Sequence, residues 1–124
     1  MEPDDIIRES LQSRDAARLY GAVLDRNDMD PASAASAMIE IGDPEYIFLA
    51  GRHWPWFDFR RGLEELIRLR SGEFIHKAGI FWKEFDYAGA LKALVDLSDP
   101  EYIYRAGRFW KVFDHETGLD ALAG

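Results

Sequence analysis

The sequence predicts an all-α protein, an α-solenoid of antiparallel helix pairs with about nine short helices, and three observations predict it. First, side-chain types recur every 28 residues: Gly51, Gly79 and Gly107; Trp54, Trp82 and Trp110; Phe57, Phe85 and Phe113; Asp58, Asp86 and Asp114. A fixed period of this size marks a supersecondary unit stacked on copies of itself. Second, Asp43-Pro44-Glu45 and Asp99-Pro100-Glu101 are helix starts. The aspartate accepts from free amides of the first turn, proline suits a position whose N–H has no partner, and glutamate complements the helix dipole. Third, only two or three residues separate consecutive helical stretches, which forces each helix back along its predecessor.

The period divides residues 1–124 into one domain with a capping helix at 3–14 and units at 15–42, 43–70, 71–98 and 99–124. Ile7 and Leu11 share the phase of Leu63 and Ile67, so residues 3–14 read as half a unit. Unit 15–42 keeps Asp15 and Asp30 in phase but carries Arg26 and Met29 where later units have Trp54 and Phe57, as a terminal repeat with a polar outer side would.

In the last unit Ile103, Ala106, Gly107 and Trp110 follow the i, i+3, i+4, i+7 spacing of one buried stripe, placing the helix end near residues 110–112. Asp114 caps the next helix, whose inner face carries Leu119 and Leu122. Glycine inside a helix costs roughly 0.5–1 kcal/mol against alanine, so Gly51, Gly79 and Gly107 imply close contact. The expected partners are the small residues Gly62, Ala90 and Gly118, with backbones approaching and the Trp ring closing the end of the interface. Pro55 stands where Lys83 and Lys111 stand in later units, and is expected to end its helix early and expose Trp56.

The Asp-Pro-Glu start, the small residue in mid-helix and the capped second helix with Leu-x-x-Leu resemble the shorter HEAT-type α-solenoid repeats. The string Asp99-Pro100-Glu101-Tyr102-Ile103-Tyr104 is similar to short helix-pair repeats of bacterial and phage proteins. The resemblance covers residues 15–124, and departs from HEAT units in its Trp-x-x-Phe-Asp joint and shorter length. It implies a scaffold for binding proteins and carries over no catalytic residue.

Composition narrows the chemistry. There is no cysteine, which excludes disulfides, thiolate metal sites and cysteine nucleophiles. No apolar run is long enough for a membrane span and no basic-then-apolar leader is present, so a cytoplasmic location is expected. The net charge of −8 disfavours nucleic acid. Residues 1–42 hold nine acids against four bases, making the N-terminal third the acidic end, and its Asp25, Asp28 and Asp30 are expected partner-binding residues of a second candidate surface.

No phosphate-cradling glycine loop, elbow serine or His-Glu-x-x-His is present. His53, His76 and His115 occupy different phases and each replaces an aromatic residue, which reads as packing. Asp58, Asp86 and Asp114 are spaced as helix caps would be. No catalytic residue, cofactor or metal is therefore expected, and the expected function is non-enzymatic.

The candidate working surface is the outward side of the first helix of each unit. It holds Arg52, Lys77, Lys83, Arg105, Arg108 and Lys111, interleaved with Phe48, His76, Ile80 and Tyr104. Trp56 belongs to a residue class enriched in interface hot spots. The expected role is an adaptor or small inhibitor of a partner protein complex, of which a phage anti-defence protein is a concrete version. The alternatives are self-association through Leu119, Leu122 and the flank of Trp110, making a homo-oligomer, and nucleic-acid binding along the basic ridge.

Overall fold

The computed structural model describes residues 2–112, and every regular element in them is helical. Eight helices follow one another: α1 (Pro3–Ser13), α2 (Ala16–Asp25), α3 (Pro31–Ile41), α4 (Pro44–His53), α5 (Phe59–Arg68), α6 (Gly72–Phe81), α7 (Tyr87–Asp96) and α8 (Pro100–Phe109). The expected ninth helix, with Asp114, His115, Gly118, Leu119 and Leu122, lies outside the described residues, as does Phe113.

Local chemistry sets the helix starts. Asp15, Asp30, Asp43, Asp58, Asp86 and Asp99 each accept from backbone amides of the first turn of the helix that follows. The Oδ1 of Asp58, for example, takes the Arg61 amide at 3.1 Å and that of Asp86 the Gly89 amide at 3.0 Å. Capping thus accounts for the described members of the aspartate series, and α6 begins at Ser71 without a side-chain cap. After α1, α3, α5 and α7 the chain turns through a left-handed residue at a constant phase: Arg14, Gly42, Arg70 and Ser98, with φ of 53°, 77°, 57° and 54°. Three of these four are not glycine, so the turn is imposed by the packing of the flanking helices.

Among the described residues each helix touches only helices one and two places away in the chain. The contacts between helices two places apart define two rows, α2–α4–α6–α8 and α1–α3–α5–α7. Leu19, Ala34, Met38, Ile47, Leu66, Ile75, Leu94 and Ala106 fill the space between them without solvent exposure. Ile103 and Trp110 of the expected stripe are buried with Ala106, whereas Gly107 is half-buried. No described helix is long and apolar enough to cross a membrane.

Glycine and tryptophan form the joint in a way that differs from the expectation of backbone meeting backbone. A Cβ on Gly51 would overlap the indole of Trp82, and one on Gly79 the indole of Trp110. The space opened in one helix is filled by the ring that follows the next helix of the same row. The indole N–H of Trp82 donates to the Phe48 carbonyl at 3.0 Å, and that of Trp110 to the His76 carbonyl at 2.9 Å. Gly62 likewise makes room for rings, those of Phe57 and Trp82, and not for a neighbouring backbone. Around Trp82 stand Phe57, Phe59 and Phe85, with ring centroids 5.7, 5.6 and 6.3 Å away. Phe85 and Tyr87 approach Trp110 to 5.3 and 5.7 Å. Edge-to-face pairs of this kind add about 0.5–1.5 kcal/mol beyond area burial.

Pro55 does not shorten its helix. α4, α6 and α8 end at the equivalent residues His53, Phe81 and Phe109, each followed by an extended Trp. The helix stops because that Trp must leave the axis to reach the preceding helix, whether proline, lysine or lysine comes next.

Glycine substitutions at two kinds of position should therefore have opposite signs. Gly79→Ala is expected to lower the free energy of unfolding by about 1–3 kcal/mol, because the added methyl displaces Trp110. Ser98→Gly should raise it by up to about 1 kcal/mol by relieving a left-handed serine. Urea unfolding followed by circular dichroism measures both.

Candidate functional site

The C-terminal halves of α4, α6 and α8 bring most of the expected basic residues to one row of helices. The Arg52 guanidinium lies over the Phe81 ring, 4.1 Å from its centroid, bridging α4 to α6. Arg108 lies 5.5 Å from the ring of Phe109. Phe81 and Phe109 are equivalent in phase, and both remain about half exposed, at 46% and 54%. Tyr104, one turn earlier on α8, is also exposed, and Ile80 is half-buried.

Three of the other cations have partners within the chain. Lys77 pairs with Glu73 at 3.5 Å and sits over Phe74, and Arg105 pairs with Glu101 at 2.7 Å beside Tyr102. Lys83 is 5.9 Å from the Phe59 ring, and Lys111 is exposed. Surface ion pairs such as these contribute about 0–1 kcal/mol, so a carboxylate on a partner can replace the internal one at little cost.

Two residues expected on this surface are buried. Phe48 lies against Phe74 and Phe81, and His76 against Tyr102 and Phe109. Their phase points along the row, toward the next helix, so both are covered by α6 and α8 respectively. Tyr104 shares that phase and is exposed. His76 is therefore a packing residue, and its Nδ1 is buried without a hydrogen-bond partner. Burial, reinforced by Arg105 and Lys77, holds the imidazole below its ordinary pKa. His53 is exposed, with its ring 6.4 Å from Tyr20.

At the acidic end the three expected aspartates differ in role. Asp25 is exposed. Asp28 accepts two hydrogen bonds from Arg26, at 2.9 and 2.7 Å, which lower its carboxyl pKa. Asp30 caps α3 and takes both the Ser33 hydroxyl and amide, which lower its carboxyl pKa as well. Trp56 is 38% exposed and stacks on buried Trp54, with centroids 5.0 Å apart.

The periodicity missed two features of these surfaces. The exposure of Phe81 and Phe109 had no signal of this kind, since their phase mixes phenylalanine with His53 just as the phase of buried Phe48 and His76 does. A groove of about 370 Å³ beside Trp54 and Trp56 depends on contacts between two joints and has no signature in either one alone. Among the described residues no cluster of three or more His, Cys, Asp or Glu could hold a metal ion.

Against protein-family models, curated proteins and solved structures, the chain gives no match.

Stability should depend on pH through His76. Its folded pKa lies below the unfolded value of about 6.5, so the unfolded chain binds the extra proton first. The native state is then fully favoured above that pH and loses stability as pH falls through the window beneath it. His76→Phe, which installs the residue type of the equivalent position 48, is expected to remove the component of the slope between pH 7.5 and 5 that His76 supplies. Urea midpoints at the two pH values, compared between the parent and the variant, measure it.

Proposed function

We propose that the chain is a non-enzymatic protein-binding module, an α-solenoid of antiparallel HEAT-like pairs that acts as an adaptor or small inhibitor of a partner complex. The observation that carries this reading is the row formed by Arg52, Phe81, Arg108, Phe109 and Tyr104. It combines half-exposed aromatic rings with guanidinium groups held over them. Solvation alone requires charges on such a face but not large rings, and Arg and aromatic residues are enriched at protein interfaces.

The partner that fits is a protein surface carrying carboxylates around an apolar centre. Arg105 and Lys77 would exchange Glu101 and Glu73 for partner acids, while Phe81 and Phe109 bury against the apolar part. The acidic N-terminal third keeps the molecule soluble and directs basic partners away from this row.

The test is a comparative pull-down with the parent chain and with Arg105→Glu, Arg108→Glu, Lys111→Glu combined. Capture of the partner is expected to fall by about tenfold or more, because reversed charges face like charges across the interface. The melting temperature should stay nearly unchanged, since all three side chains are exposed. Equal capture by both chains would overturn the assignment of this face.

A further inference from the structure

The joint between α2 and α3 differs from the one between α4 and α5, and the difference leaves a groove. In the 28-residue phase Val23 stands where Gly51 stands, Met29 where Phe57 stands and Pro31 where Phe59 stands. Gly51, Phe57 and Phe59 are residues that seat Trp82. Trp54 faces the substitutes, and the results are visible on both sides of it. Its indole N–H is buried without an acceptor, whereas those of Trp82 and Trp110 reach carbonyls. Two phenyl rings have been replaced by a thioether and a pyrrolidine, and a groove of about 370 Å³ is lined by Val23, Met29 and Pro31 together with Trp54 and Trp56.

We propose that this groove is an anchor site for one aromatic side chain, phenylalanine or tyrosine, presented by a protein partner. The inference rests on the reading of the chain as a protein-binding module but uses a different surface. The chain itself indicates what fits: at the next joint the equivalent space between indole and helix is occupied by phenyl rings. Trp54 and Trp56 form a stacked pair that a further ring extends, edge or face, and Leu24 and Trp56 leave apolar surface exposed at the mouth. His53 and Asn27 on the rim supply polar groups for the backbone of the segment that carries the ring. An anchoring aromatic in a small pocket is the usual form of an interface hot spot.

The repeat also supplies the variant that tests it. Met29→Phe combined with Pro31→Phe installs the rings found at 57 and 59, fills the groove and keeps an apolar side chain at the buried position 29. The full chain, labelled with ¹⁵N, is titrated with N-acetyl-tyrosine amide, and with N-acetyl-leucine amide as the apolar comparison. The tyrosine amide is expected to shift the Trp54 and Trp56 indole resonances saturably in the millimolar range, as suits a fragment with a single ring. The filled variant should abolish the shift, Trp56→Ala should weaken it at least threefold, and the leucine amide should bind several-fold more weakly. Absence of a saturable shift, an equal response to leucine, or an undiminished response in the filled variant or in Trp56→Ala would overturn the proposal. None of these outcomes bears on the basic row, which the charge-reversal pull-down reads separately.

Discussion

Among the described residues the structure depends on one contact made twice: an indole seated over a helical glycine of the preceding unit, with its N–H on a carbonyl of the same helix. Trp82 over Gly51 and Trp110 over Gly79 join helices that lie two places apart in the chain. A short helix of ten residues is marginal by itself, and these helices touch only near neighbours. Stability must therefore pass from unit to unit through such joints. The glycine gives up helix propensity in its own helix, and the ring that enters returns buried area, aromatic edge contacts and a satisfied donor.

The same constraint explains the surface. Because the Trp after each first helix turns back toward the previous unit, the residue just before it, Phe81 or Phe109, is left at the end of its helix with one side uncovered. Arg52 reaches forward over the ring at 81. Where the joint is degraded, at Val23, the Trp loses its acceptor and a groove opens. Both candidate interaction surfaces are thus by-products of how well each joint is made.

Much of the fold was legible because its signals are local. Aspartate followed by proline or by a free first turn marks a helix start whatever the tertiary context, and Asp43, Asp58, Asp86 and Asp99 cap as that rule requires. The failures occurred where a relation between distant residues overrode a local rule. Pro55 looked like a helix breaker, yet α4 stops where α6 and α8 stop, because the Trp sets the end. Phe48 and His76 looked outward on a helical wheel, since a wheel has no knowledge of the next helix in the row. The partner of Gly51 is 31 residues away, and a period of 28 gives the phase of both residues without saying that they touch. The left-handed turns at Arg70 and Ser98 were hidden for a different reason, as neither residue type advertises that conformation.

Hydrogen exchange of the four indole N–H groups tests the central claim most directly. If the joints carry the structure, the Trp82 and Trp110 indoles exchange orders of magnitude more slowly than that of exposed Trp56, with protection that falls in step with global stability as urea is added. Exchange at Trp82 and Trp110 as fast as at Trp56, with the helices still folded, would mean that the chain holds together without these contacts and would contradict the account.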